Sequence, residues 1–174
     1  RIGHSEKVLF VRIFITVLFL IFSFQSWTKA EDIRDFEIEG ISIGDSLLDF
    51  FSEDKLKNNL GTPYPNSDKF ITIEFAISSE IYDAMSFNVK KNDEKYIIYA
   101  IAGFKDYEIN MEDCFKFKDE VSKEVEKIFV NIEKEPYKKK HSGDKTGKSI
   151  NEGYDFNFKS GDKINIACYD WSKE

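Results

Sequence analysis

The sequence is poor in the residues that bind metals and carry acid–base catalysis. Its 174 residues include only two histidines, His4 and His141, and two cysteines, Cys114 and Cys168. Zinc sites need several such ligands at close spacing, and the two cysteines lie 54 positions apart. The acidic residues between positions 31 and 54 do not follow the pattern of a calcium-binding EF-hand loop. We therefore predict no catalytic residues, no metal site and no cofactor.

A long hydrophobic run is also missing near the N-terminus. The apolar run over residues 13–24 has twelve residues and follows Arg12, whereas a membrane-spanning helix needs about 20 apolar residues. A basic flank, a short apolar run and the small-x-small sequence Thr28-Lys29-Ala30 are typical of a secretory signal peptide. We predict a signal peptide over residues 1–30, cleaved after Ala30. Retention of this segment as an anchor is the alternative.

Basic charge is scarce in the remaining chain. Of 25 basic and 32 acidic side chains, four basic and one acidic lie in residues 1–30, which leaves 21 and 31 and a formal charge of −10. Nucleic acids bind lysine- and arginine-rich surfaces, so this balance argues against them as partners. We predict that residues 31–174 form a single periplasmic or secreted domain with no stable membrane anchor. A protein of the cell envelope is a possible partner.

Hydrophobic periodicity predicts an α+β fold. Alternation over residues 70–77, 85–89 and 96–102 indicates an antiparallel meander, and alternation over 154–158 and 164–168 indicates a C-terminal hairpin. Helical spacing predicts a long helix over about 111–130 whose charged residues, Lys118 among them, face solvent. A short broken helix is expected near 45–60, ended by Gly61 and Pro63. We predict one antiparallel sheet of about five strands with the long helix packed on one face.

Residues 131–150 lack any apolar period. They contain six lysines together with Pro136, Gly143 and Gly147. We predict a flexible basic loop here.

The two cysteines are expected to face the core from different elements. Cys114 lies on the apolar stripe of the long helix, and Cys168 alternates with Ile164 and Ile166. In an oxidising compartment a single pair of cysteines usually forms a disulfide. We predict a Cys114–Cys168 disulfide across the helix–sheet interface, with two buried free thiols as the alternative.

Two short motifs resemble functional signatures. Gly44-Asp45-Ser46-Leu47 resembles the nucleophile motif of the GDSL-type hydrolases, in which a serine needs a histidine base and an asparagine. The matching Gly-x-Asn-Asp and Asp-x-x-His blocks are absent from this sequence. Residues 143–149 (GDKTGKS) resemble a phosphate-binding loop with one residue too few between its glycines. We predict that Ser46 opens a helix, and an envelope serine hydrolase using Ser46 is the alternative function.

A broader resemblance covers the whole chain. The N-terminal segment, the Trp27-Thr28-Lys29-Ala30 junction and the following stretch DIRDFEIEGISIGDSLLD (residues 32–49) are similar to exported proteins of AT-rich marine alphaproteobacteria of the SAR11 type. The resemblance implies export and implies no activity.

Aromatic residues end the chain. Tyr169 and Trp171 alternate with Cys168, so both lie on the opposite face of the last strand. They form either an exposed patch for a partner or part of a core against a second layer. With no catalytic set in the sequence, we predict a non-enzymatic binding or envelope-support module.

Overall fold

The computed structural model describes residues 32–63, 68–107, 110–129 and 131–172. These residues form a mixture of helix and strand with three antiparallel sheets of two, four and three strands. The predicted signal peptide over residues 1–30 lies outside the described residues.

The N-terminal part is a small hairpin followed by helical turns. Strands β1 (Glu37–Ile38) and β2 (Ile41–Ser42) pair with each other. A 3₁₀ turn (Leu47–Asp49) and the short helix α1 (Glu53–Asn58) follow, capped by the side chains of Ser46 and Ser52. The predicted broken helix near 45–60 is therefore confirmed, because each piece has its own serine cap.

The meander predicted from alternation is also confirmed. Strands β3 (Leu60–Pro63), β4 (Phe70–Ala76), β5 (Ala84–Lys90) and β6 (Ile98–Phe104) form one sheet in chain order. Its apolar face packs against the N-terminal hairpin and α1. The buried residues of this first core are Ile41, Leu47, Leu56, Ile73, Phe75, Met85, Phe87, Val89 and Ile98.

The C-terminal part combines the long helix with a second sheet. Helix α2 (Met111–Ile128) begins at the cap Asn110 and precedes strands β7 (Glu133–Lys140), β8 (Ile150–Asn157) and β9 (Lys163–Asp170). Strand β8 lies in the middle and pairs with both neighbours along its whole length. The second core contains Ile33, Val125, Phe129, Phe156 and Ile164.

The predicted disulfide joins α2 to β9. Cys114 and Cys168 are bonded, with their Cα atoms 6.0 Å apart. That distance lies inside the range of about 4.4–6.8 Å that disulfides require. The packing of the long helix on the C-terminal hairpin is confirmed with it.

The prediction of one sheet of about five strands is wrong. The meander ends at β6, and residues 44–47 pair with the first residue of that strand and with Tyr96 before it. The Gly44 N–H donates to Ile98 O at 2.9 Å, Ile98 N–H donates to Asp45 O at 2.9 Å, and Leu47 N–H donates to Tyr96 O at 3.1 Å. The three C-terminal strands form a sheet of their own.

The prediction of a loop over residues 131–150 is wrong for β7. This strand lies at the edge of its sheet, where proline is tolerated, and Pro136 is part of it. Its lysines do not break the strand, because Lys134 pairs with Glu126 on α2 and Lys138 pairs with Glu152 on β8. Only residues 141–149 form the connection between β7 and β8.

Candidate functional site

Ser46 has a structural role in the described chain. Its Oγ donates to the carbonyl oxygen of Lys95 at 2.6 Å and accepts from the N–H of Leu48 at 3.2 Å. Both partners are backbone groups, and neither can take a proton from the hydroxyl. His141, the only histidine in the described part of the chain, instead contacts Tyr169 and Trp171 in the C-terminal sheet. The prediction that Ser46 opens a helical turn is confirmed.

The phosphate-loop-like segment holds a carboxylate of its own. The Asp144 side chain accepts from the backbone N–H groups of Thr146, Lys148 and Ser149 at 2.8–3.2 Å, and from the Thr146 hydroxyl at 2.9 Å. These hydrogen bonds, led by the one from the Ser149 N–H, lower the pKa of Asp144 far below its usual range. Because Asp144 accepts hydrogen bonds from these backbone N–H groups, they are not available to bind a phosphate.

Helix α2 buries a lysine, contrary to the prediction that Lys118 faces solvent. Lys118 is 6% exposed, with its Nζ 3.6 Å from Asp119 Oδ1 and 3.7 Å from Glu152 Oε1. The ring centroid of Tyr154 lies 4.7 Å from the same Nζ. A hydrogen bond from Lys138 lowers the pKa of Glu152, which keeps it anionic. Two carboxylates and a ring face compensate this buried cation, so the cluster fixes the helix to the sheet.

The opposite side of the C-terminal sheet carries a different set of side chains. Alternation and register place the odd-numbered residues of β7, β8 and β9 on the face turned away from α2. We call this the outer face, and it consists of successive cross-strand rows. Along the sheet these are Glu135, Asp155 and Asn165; Tyr137, Gly153 and Ala167; Lys139, Asn151 and Tyr169; and then His141, Ser149 and Trp171, which continue the same face beyond the strand ends.

A hydrogen-bond network fixes the centre of the outer face. The Tyr137 hydroxyl donates to Asn151 Oδ1 at 3.1 Å and accepts from Asn165 Nδ2 at 2.8 Å. The same amide of Asn165 donates to Asp155 Oδ1 at 2.7 Å. Since these partners lie on β8 and β9, the Tyr137 side chain reaches from β7 across the sheet.

Gly153 makes that crossing possible. It lies directly opposite Tyr137 in the register. A Cβ atom at Gly153 would come within 2.3 Å of the Ile166 carbonyl oxygen and 2.9 Å of the Ala167 Cα. No side chain fits there, so the space above Gly153 is left for the side chain of Tyr137.

Aromatic rings dominate one end of the outer face. Trp171 is 59% exposed and Tyr169 is 41% exposed. Their rings are nearly parallel, with an interplanar angle of 14° and centroids 6.0 Å apart, and the His141 ring lies 4.4 Å from Trp171. Partial burial raises the pKa of the Tyr169 hydroxyl, so it stays a neutral donor. Of the two expectations for Tyr169 and Trp171, the structure shows the exposed patch.

The aromatic end is held rigidly. Cys168, next to Tyr169 in the chain, is tied to α2 by the disulfide. The Ser172 N–H donates to Ser149 Oγ at 3.1 Å, and His141 N–H donates to Ser149 O at 2.9 Å. Exposed rings on a fixed backbone bind a partner at little cost in conformational entropy.

Sequence reasoning found two of these residues and missed the others. The rest of the face depends on β7, which the sequence did not reveal as a strand, and on its register with β8. One signal was present, since the odd-numbered positions of β8 read Asn151, Gly153 and Asp155, whereas the even-numbered ones include Ile150, Tyr154 and Phe156. That alternation marks a strand with one uncovered polar face.

The described residues contain neither a metal-ligand cluster nor a membrane-spanning helix. In the described ranges no three His, Cys, Asp or Glu side chains are grouped as a metal ion would require. Within the same ranges no helix is long and apolar enough to cross a membrane. Comparison of the chain with protein-family models, curated proteins and solved structures finds no match.

Proposed function

We propose that the chain is an exported, non-enzymatic binding module of the cell envelope, periplasmic or secreted, and that it binds through the outer face. The observation that carries the proposal is the exposure of Tyr169 and Trp171 on a face that no second layer of the described chain covers. Tyrosine and tryptophan are enriched at binding surfaces because they offer a large contact area with few rotatable bonds.

Two features support export. The N-terminal sequence has the charge and hydrophobicity pattern of a signal peptide. The Cys114–Cys168 disulfide is of the kind that forms and persists in oxidising compartments such as the periplasm.

The surface chemistry favours binding over catalysis. The network of Tyr137, Asn151, Asn165 and Asp155 pairs each polar group with a neighbour on the same face. Burial raises the pKa of Asp155, but hydrogen bonds from Lys163 and Asn165 outweigh it and keep this carboxyl ionised. A fully charged, paired carboxylate orients its neighbours and is a poor general base at neutral pH.

A binding assay with single-residue variants tests the proposal. The protein, purified after export from a bacterial host, is mixed with isolated Gram-negative cell envelopes, and the bound fraction is measured by sedimentation. Trp171→Ala should weaken binding by a factor of about 30, since a central aromatic contact contributes about 2 kcal/mol or more. Tyr99→Ala is the matched control, because Tyr99 on β6 is 42% exposed and lies outside the outer face. Equal binding by Trp171→Ala and the unmodified chain would refute the proposal.

A further inference from the structure

We propose that the outer face binds an acidic saccharide chain, with sugar rings against the aromatic end and their anionic groups paired with the lysines of the β7–β8 turn. This inference rests on the proposed function, because it names the ligand class of the same face.

The rings and the polar groups of the face match the two sides of a sugar. A sugar ring has C–H groups on its faces and hydroxyl groups around its edge. Trp171 and Tyr169 offer exposed ring surface for the C–H groups on the faces of the sugar. The hydroxyl groups of the sugar can bond to polar groups in the next two rows of the sheet. These are the hydroxyl of Tyr137, the amide of Asn165 and the carboxylate of Asp155.

The face combines aromatic rings with a few fixed polar groups. The Tyr137 side chain crosses the middle row, and its hydroxyl is hydrogen-bonded to Asn151 and Asn165. The exposed rings of Tyr169 and Trp171 lie towards the strand ends. Ligand sites with this mixture of rings and a few fixed polar groups are typical of small-molecule recognition. An uninterrupted apolar patch, as a lipid bilayer would require, is not what these rows present.

Local charge selects an acidic ligand. Lys145 and Lys148 lie in the turn at the aromatic end, both are exposed, and among the described residues neither has a carboxylate within salt-bridge distance. The acid within that turn, Asp144, is held by the backbone of its own loop. On a chain with a formal charge of −7, the lysines of this turn outnumber its one acid, so the turn is locally cationic. Such a surface attracts anions over roughly 8–10 Å at physiological ionic strength.

Titration with defined oligosaccharides tests the inference. The full chain carries two tryptophans, Trp27 and Trp171, so Trp27→Phe makes Trp171 the only tryptophan reporter. Oligogalacturonate should change its fluorescence and bind about tenfold more tightly than a neutral cello-oligosaccharide of equal length, because two or three surface ion pairs contribute about that factor. The preference should disappear as salt is raised from about 50 mM to about 500 mM.

Lysine variants separate charge from stacking. Lys145→Gln combined with Lys148→Gln should remove the preference for oligogalacturonate and leave the affinity for the neutral oligosaccharide unchanged. Lys91→Gln combined with Lys116→Gln is the matched control, because both lysines are exposed and lie on other elements. The control pair should retain the preference.

The outcomes distinguish this inference from the proposed function. Equal affinity for the two oligosaccharides, or no binding of either, overturns the saccharide inference. Binding to vesicles of equal parts phosphatidylglycerol and phosphatidylcholine, without binding to oligogalacturonate, overturns it in favour of a lipid surface. The proposed function fails only if Trp171→Ala leaves binding to cell envelopes unchanged in the sedimentation assay.

Discussion

Loss of the Cys114–Cys168 disulfide should lower the stability of the fold substantially without unfolding the protein. The bridge closes a loop of 54 residues. On the chain-entropy model, a crosslink over that span stabilises the folded state by about 4 kcal/mol. The typical stability of a domain is about 5–15 kcal/mol, so this is a large part of the total. Val125, Phe156 and Ile164 still bury the helix–sheet interface after the bond is lost, and we expect the reduced protein to fold.

Thermal unfolding followed by circular dichroism measures the effect. For a chain of this size about 4 kcal/mol corresponds to a fall in Tm of about 10 °C or more. Cys168 is 1% exposed, so the protein should be unfolded with reductant and refolded in it before the measurement. The reduced wild-type protein is the better sample, because it keeps every heavy atom of both side chains. The double variant Cys114→Ala and Cys168→Ala would also lose stability to the cavity left by the two sulfur atoms. A fall of less than about 3 °C on reduction would refute the assignment of this stability to the crosslink.

Three other perturbations have distinct expected results. Ser46→Ala should lower the free energy of unfolding by about 1 kcal/mol, the usual cost of a lost cap, and a fluorophosphonate probe should leave Ser46 unlabelled; covalent labelling there would contradict its structural role. Gly153→Ala should destabilise the C-terminal sheet by about 1–3 kcal/mol through overcrowding, and an unchanged denaturation midpoint would contradict the packing described for that row. The pKa of Asp144 is lowered in the folded state. Its carboxylate therefore contributes fully to the stability of the fold above its unfolded pKa of about 3.9, and this contribution is lost only as the pH falls towards the pKa of the folded state. Amide exchange at Lys148 should therefore stay slow from pH 7 to about pH 4. At neutral pH, Asp144→Asn should accelerate this exchange and also the tryptic cleavage after Lys145. Unchanged rates in the variant would contradict the role of the carboxylate.

Local pattern was sufficient to predict the elements whose faces differ in polarity. The alternation in β4, β5, β8 and β9 and the helical period of α2 are direct consequences of one buried and one exposed side. The disulfide could be predicted for the same reason, because both cysteines lie on buried faces that must meet.

Pairing between distant segments could not be read from the sequence. Residues 44–47 pair with Ile98 at the start of β6 and with Tyr96 before it through backbone groups, which leave no trace in the side-chain pattern. Strand β7 shows no apolar alternation because its outward residues meet solvent and two inward lysines find carboxylates on α2 and β8. Lys118 seemed to belong to the exposed side of α2, yet its position four residues after Cys114 places it over Glu152 on the sheet. The outer face exists only once these registers are fixed.

The central claim is that the outer face of the C-terminal sheet is the binding surface. Hydroxyl-radical footprinting of the exported chain, free and bound to isolated cell envelopes, tests it most directly. The account predicts that oxidation of Trp171 and Tyr169 falls severalfold on binding, while oxidation of Tyr99 on β6 does not change. Undiminished oxidation of Trp171 and Tyr169 in the bound protein would contradict it.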